Sequence, residues 1–147
     1  MKPTVDYWEN VTLDGFIDCP YNLAHNRQTR LLADLTLVGC YDHVAVSTQQ
    51  RDTLMLESAK ANLAKMAYFG IQNYMPESQY IFEQTFLELK ITTNLTNEPS
   101  ISAHIDYTET QKINMINRNR LDIELYKFAQ QLFFERYYSL KANERKF

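Results

Sequence analysis

The sequence predicts an α/β protein, of which this chain is a mostly helical part. Three observations lead there. Four stretches carry apolar residues at helical spacing. Only one or two short apolar runs read as strands, too few to complete a sheet. The last helical stretch is apolar over more of its circumference than a lone surface helix exposes, so it needs cover on more than one side. Residues 1–147 read as part of a single domain.

The first helix is expected from about Asn22 to Leu37. Leu23, Leu31 and Leu35 lie near one face, and Arg27 and Arg30 share a polar face. The second runs from about Thr48 to Ala67. Ser47 and Gln50 have capping-box spacing, and Leu56, Ala59, Leu63 and Met66 form an apolar stripe. The run AYFGI, residues 67–71, then reads as a short buried strand ended or bent by Gly70. A third helix, from about Asn73 to Phe86, carries Pro76 in its first turn, where a missing amide hydrogen costs nothing. Ile81, Phe82 and Phe86 should pack inward. The polar segment 87–106 opens with a possible strand and continues as a loop in which Pro99 excludes regular structure. The fourth helix runs from about Glu109 to Leu140 behind a second capping box, Thr108 with Gln111. Its stripe is Leu121, Leu125, Phe128 and Leu132, widened by Tyr126, Ala129 and Phe133.

Composition excludes several classes. Hydrophobic residues make up 45% and charged residues 22%, enough for a packed core. The formal net charge of -3 argues against a nucleic-acid partner and confines any grip on a polyanion to a local cluster. No apolar run approaches the roughly 18–20 residues of a membrane span, and the polar, aromatic start is not a signal peptide. Two triplets, at Asn10 and Asn94, fit the glycosylation acceptor pattern.

Both cysteines lie in the stretch CPYNLAHNRQTRLLADLTLVGCY, residues 19–41. A zinc site would recruit His25 and His43, but the spacing is not that of structural zinc ligands, and no metal is expected. No signature supports a thiol nucleophile. A Cys19–Cys40 disulfide would close a loop of about twenty residues and stabilise the fold by about 3 kcal/mol; two buried free thiols are the alternative. In the same stretch, Arg27 and Arg30 could bind sulfate or carboxylate in a forked geometry, or Arg30 could pair with Asp34 one turn on. His25, His43 and His104 have no partner at a catalytic spacing, so no catalytic residue is assigned. The ten Tyr and eight Phe read mostly as core, while Trp8 falls outside any periodic pattern. Gly15, Gly39 and Gly70 are isolated, so no phosphate-cradling loop is present.

Four segments in order resemble the heparan sulfate 6-O-sulfotransferases: the stretch from Cys19 to Tyr41, then ESAKANLAKMAYFGI, YIFEQTF and NRLDIELYKFAQQLFFERY. The resemblance runs from about Leu13 to Tyr138. It implies the C-terminal part of a P-loop-like sulfotransferase domain. It also implies transfer of a sulfuryl group from 3'-phosphoadenosine 5'-phosphosulfate to the 6-hydroxyl of glucosamine in heparan sulfate. That activity belongs to the Golgi lumen, in enzymes held by one N-terminal membrane anchor. A luminal setting agrees with the two glycosylation triplets and favours the Cys19–Cys40 disulfide.

In the family, the phosphosulfate loop, the catalytic His and the 3'-phosphate motif precede the CPYN segment. The chain is therefore expected to be a fragment without donor loop, base or anchor. A family loop that closes over the nucleotide aligns with Leu95–Ser102. It has neither the family's aromatic residue nor its Arg here, but Thr96, Asn97, Ser100 and Ser102 offer hydrogen bonds to the donor. Arg27 and Arg30 match the family's NRQ-x-R pattern, which implies a role in binding the acceptor or in supporting the site. The alternative function is a non-catalytic helical interaction protein derived from that family.

Overall fold

The computed structural model describes residues 11–40, 42, 46–93, 96 and 106–144. Six α-helices follow in order: α1 (Leu13–Asp18), α2 (Arg27–Leu32), α3 (Thr48–Lys65), α4 (Met75–Thr85), α5 (Glu109–Arg118) and α6 (Arg120–Glu144). Short 3-10 turns at Leu35–Val38 and Gln72–Tyr74 lead out of α2 and into α4. Helix α3 packs on α2 and α6, α4 packs on α6, and α1 packs on α5.

The helix starts follow from their capping residues. The Thr12 and Ser47 hydroxyls accept the amides of Gly15 and Gln50. At α5 the capping box is complete: Thr108 Oγ1 accepts from the Gln111 amide at 3.2 Å, and Gln111 Oε1 accepts from the Thr108 amide at 2.9 Å. Pro76 sits in the first turn of α4.

The core is strung along α6, which supplies one buried side chain to each of three clusters. Leu121 meets Val38 and Met55. Leu125 meets Ala59 and Leu63. Phe133 meets Ile71 and Ile81. The predicted stripes land close to this. Met55 replaces Leu56 and Phe133 replaces Leu132 as the buried positions, while Met66 and Phe86 stay exposed. Arg136 on α6 donates to the Ala64 and Met66 carbonyls, capping the C-terminus of α3, and its guanidinium lies over the Phe69 ring.

Four expectations need correction. The helix expected over 22–37 is only the six residues of α2, because turns occupy 20–26 and Ala33 is already extended. The helix expected over 109–140 breaks at Asn119, whose Oδ1 accepts the Asn26 amide while its Nδ2 donates back to the Met115 carbonyl. No strand occurs among the described residues. Residues 67–71 run between extended Met66 (φ -65°, ψ 133°) and Ile71 (φ -119°, ψ 123°) without a ladder, and 86–91 folds back onto α4 as the Glu83 carboxylate takes the Ile91 amide. Finally, Cys19 and Cys40 are free thiols, and the expected bridge is not formed. The turn around Cys40, where φ is 56°, is held by Arg51 instead. That buried guanidinium donates to the carbonyls of Val38 (2.8 Å), Cys40 and Asp42.

Candidate functional site

A six-residue helix has little stability of its own, so α2 is shaped by what holds its ends. Asn22 is buried; its Nδ2 donates to the Phe16 carbonyl at 2.7 Å and its Oδ1 accepts the Ala24 amide at 2.9 Å. Asn26 sits in the left-handed region (φ 48°, ψ 39°), which Asn tolerates better than most residues. From there its Oδ1 accepts the amides of Leu121 and Asp122 at the start of α6. Asp122 answers from the first turn of α6. Its carboxylate takes the Gln28 amide at 3.0 Å, and the Thr29 amide and hydroxyl each at 2.7 Å. Asn119 Oδ1 takes the Asn26 amide at 3.1 Å. The two helices thus cap each other's N-termini, each satisfying donors the other leaves open.

This lock presents Arg27 and Arg30. The Arg30 guanidinium reaches back to the carbonyls of Leu23 and His25, while Arg27 is exposed. Asp34 caps the following 3-10 turn, accepting the Thr36 amide and hydroxyl, which lower its carboxyl pKa. Both arginines line a pocket of about 640 Å³ whose other walls include Phe16, Tyr21, Leu23 and Leu31. Tyr21 is 82% exposed. Forked donors over apolar and aromatic walls suit an anionic group carried on a ring: the guanidinium takes the anion and the aromatic face takes the ring. A second pocket of about 460 Å³ shares Tyr21, Leu23 and Arg30 and adds His25, Arg51 and Asp52.

His25 is half-buried. Partial burial, then the Arg118 and Arg30 cations, lower its pKa from the ordinary 6.5. Its Nε2 lies 3.4 Å from Asn22 Nδ2, which makes the ring the acceptor there. A base whose pKa is lower folded than unfolded costs stability as pH falls below the unfolded value. The melting temperature should therefore be level above about pH 7 and decline below about 6.5, and His25→Gln should flatten the first part of that decline. A melting series from pH 5 to 8 checks this; an identical slope in both proteins would refute it.

Among the other predicted site residues, Thr96 is exposed on the surface. Asn10, Asn94, Asn97, Ser100 and Ser102 lie outside the described residues, as do His43, His104 and Trp8. Among the described residues there is no His, Cys, Asp or Glu cluster fit to hold a metal ion, and no helix long and apolar enough to cross a membrane. The structure brings Arg27 and Arg30 to one pocket beside Tyr21, which the sequence reading did not single out, as it did not single out Asn26 and Asp122. The available signal for Asn26 was an Asn directly before a short helical pattern, where αL conformations and caps concentrate.

A sequence model described as the sulfotransferase family matches residues 2–129. Heparan-sulfate 6-O-sulfotransferase 2 of Gallus gallus is 43% identical over 143 residues, covering 96% of this chain and 35% of that protein. Heparan-sulfate 6-O-sulfotransferase 2 of Homo sapiens is 41% identical over 141 residues, 96% of this chain and 23% of its own length. Heparan-sulfate 6-O-sulfotransferase 1-B of Danio rerio is 43% identical over 130 residues, 88% and 32% respectively. The chain spans about a third or less of the length of these relatives.

Proposed function

The chain belongs to the sulfotransferase family, and from that premise we propose that it is the C-terminal part of a heparan sulfate 6-O-sulfotransferase. The full protein would carry a sulfuryl group from 3'-phosphoadenosine 5'-phosphosulfate to the 6-hydroxyl of glucosamine in heparan sulfate. The observation that carries this reading is the 41–43% identity to named 6-O-sulfotransferases along nearly the whole chain.

Within it, the exposed Arg27 and the oriented Arg30 bind sulfate or carboxylate groups of the acceptor, with Tyr21 beside a sugar ring. The donor contacts fall to Thr96, Asn97, Ser100 and Ser102. In this reading the general base belongs to the region that precedes the CPYN segment in the family, and none is assigned to the histidines of this chain. The reading carries with it a P-loop-like domain, a Golgi-luminal setting with a single membrane anchor in the full-length protein, and glycans at Asn10 and Asn94.

Isothermal titration of the chain with a heparin oligosaccharide, and in parallel with 3'-phosphoadenosine 5'-phosphate, tests the assignment. The oligosaccharide should bind with an affinity that falls with salt, and Arg27→Ala should weaken it by roughly tenfold, the loss of one charged hydrogen-bonding group. Equal binding by the variant would remove Arg27 from the acceptor site. Silence toward both ligands from a folded chain would favour a non-catalytic interaction module.

A further inference from the structure

The second pocket, of about 460 Å³, adjoins the arginine pocket through Tyr21, Leu23 and Arg30. That is the size of a small-ligand site. Its wall holds a cation without a counter-charge. Arg51 is 8% exposed, and among the described residues its guanidinium bonds only carbonyl oxygens, those of Val38, Cys40 and Asp42. Among the described residues no carboxylate lies within ion-pair distance of it. A buried cation in that condition is costly, and an anion in the pocket that Arg51 lines offsets the cost. Arg30 brings a second guanidinium to the same pocket, and Thr48 brings the positive end of α3. The Asp52 carboxylate also lies in the wall, but it is taken by Arg120 of α6.

His25 lines this pocket as well. Its ring meets Phe16 edge-on, and its Nε2 accepts from Asn22 Nδ2 at 3.4 Å. A proton added at Nε2 loses that partner, because two donors then face each other, and needs a new acceptor. The charged groups around the ring are Arg30 on α2, Arg118 on α5 with Asp18 at the end of α1 3.7 Å from it, and Arg51 and Asp52 of α3 in the shared lining. Partial burial, then the Arg118 and Arg30 cations, disfavour a proton on His25. An oxyanion in the pocket reverses the electrostatic part of that preference.

We propose that this second pocket is an oxyanion subsite, which takes a sulfate or carboxylate group of a sugar next to the one held at Arg27, together with one proton on His25. The anion answers the charge of Arg51, meets the guanidinium of Arg30, and accepts from the new Nε2–H in place of Asn22. Proton and anion then favour each other reciprocally: the factor by which the anion raises the proton affinity of His25 is the factor by which the proton raises the affinity for the anion. The sugar as natural ligand rests on the acceptor reading above; the oxyanion chemistry of the pocket does not.

Two measurements on the chain test it. The first follows the imidazole NMR signals against pH in sodium sulfate and in sodium chloride of equal ionic strength, with His25 assigned by its loss in His25→Gln. The proton affinity of His25 should be about threefold or more higher in sulfate, while His43 and His104 report the general effect of the salt. A His25 response no larger than theirs would overturn the proposal. The second titrates a heparin oligosaccharide at pH 7.5 and 5.5. The affinity should gain about threefold or more at the lower pH, with net proton uptake, and Arg27→Ala should bind more weakly at both while keeping that ratio. His25→Gln should lose the gain; a gain that persists in this variant would overturn the proposal. Binding that Arg27→Ala weakens but that shows no gain at pH 5.5 would also overturn it, and would leave the acceptor assignment standing. Failure of the acceptor reading looks different: His25 responds to sulfate, as the pocket requires, and the oligosaccharide does not bind.

Discussion

Phe133→Ala is expected to lower the unfolding free energy by about 3–5 kcal/mol, the range for emptying a buried aromatic site. The ring is fully buried. It stacks on Tyr74 at 6.0 Å, meets Phe134 edge-on at 5.4 Å and lies 6.3 Å from Phe69. These partners come from four places in the chain: the turn before α4, α6 itself, the 67–71 segment and, through Ile81, α4. No single neighbour can shift to refill the space, which puts the loss toward the upper end. Against a total stability of about 5–15 kcal/mol, this removes a large share. Urea unfolding should show a lower midpoint at unchanged slope. Tyr138→Ala is the control: that ring is 63% exposed, and its removal should cost under about 1 kcal/mol. A Phe133→Ala loss no larger than the control would mean the three clusters are not one cooperative core.

What the sequence revealed depended on how local each determinant is. The α5 capping box uses two side chains three positions apart, and both of its bonds are present. Helices α3 and α4 begin and end within a few residues of expectation because an apolar period of four to five turns, or a Pro in the first turn, is written in adjacent residues. The stretch over 22–37 misled for a physical reason. Leu23 and Leu31 fit a helical stripe but are 61% and 68% exposed, because Asn22 and Asn26 spend their side chains on turns and on α6. The break at Asn119 was hidden because one of its two side-chain partners, Asn26, lies 93 positions away; the other is the Met115 carbonyl one turn back. Residues 67–71 read as a strand from their apolar run, but no strand occurs among the described residues, because a ladder is a property of two segments and one run cannot show its partner. The site divides in the same way: Arg27 and Arg30 could be read from their spacing, whereas the pocket walls depend on how residues 16–24 fold back.

Asp122→Ala should destabilise the protein by about 2–4 kcal/mol, from the loss of several hydrogen bonds to a charged acceptor together with the penalty for stranding buried donors. Thr29 is fully buried, and its amide and hydroxyl both end on this carboxylate. The Gln28 amide bond lies toward solvent, so the main penalty falls on the Thr29 donors. The variant also removes a negative charge from the first turn of α6, where the helix dipole favours one. Asp122→Asn keeps an oxygen that can accept from Thr29 and should recover roughly half of the loss. The coupling is measurable: in a double-mutant cycle with Thr29→Val, the two losses should fall short of additive by about 1–3 kcal/mol. The functional consequence follows from the geometry. Helix α2 is too short to stand without its caps, and it carries both arginines, so Asp122→Ala should weaken heparin-oligosaccharide binding although Asp122 is not among the side chains that line the arginine pocket. Unaltered binding by a destabilised variant would show that Arg27 and Arg30 hold their positions independently of the mutual cap. Weakened binding that Asp122→Asn restores would show that the cap fixes the site.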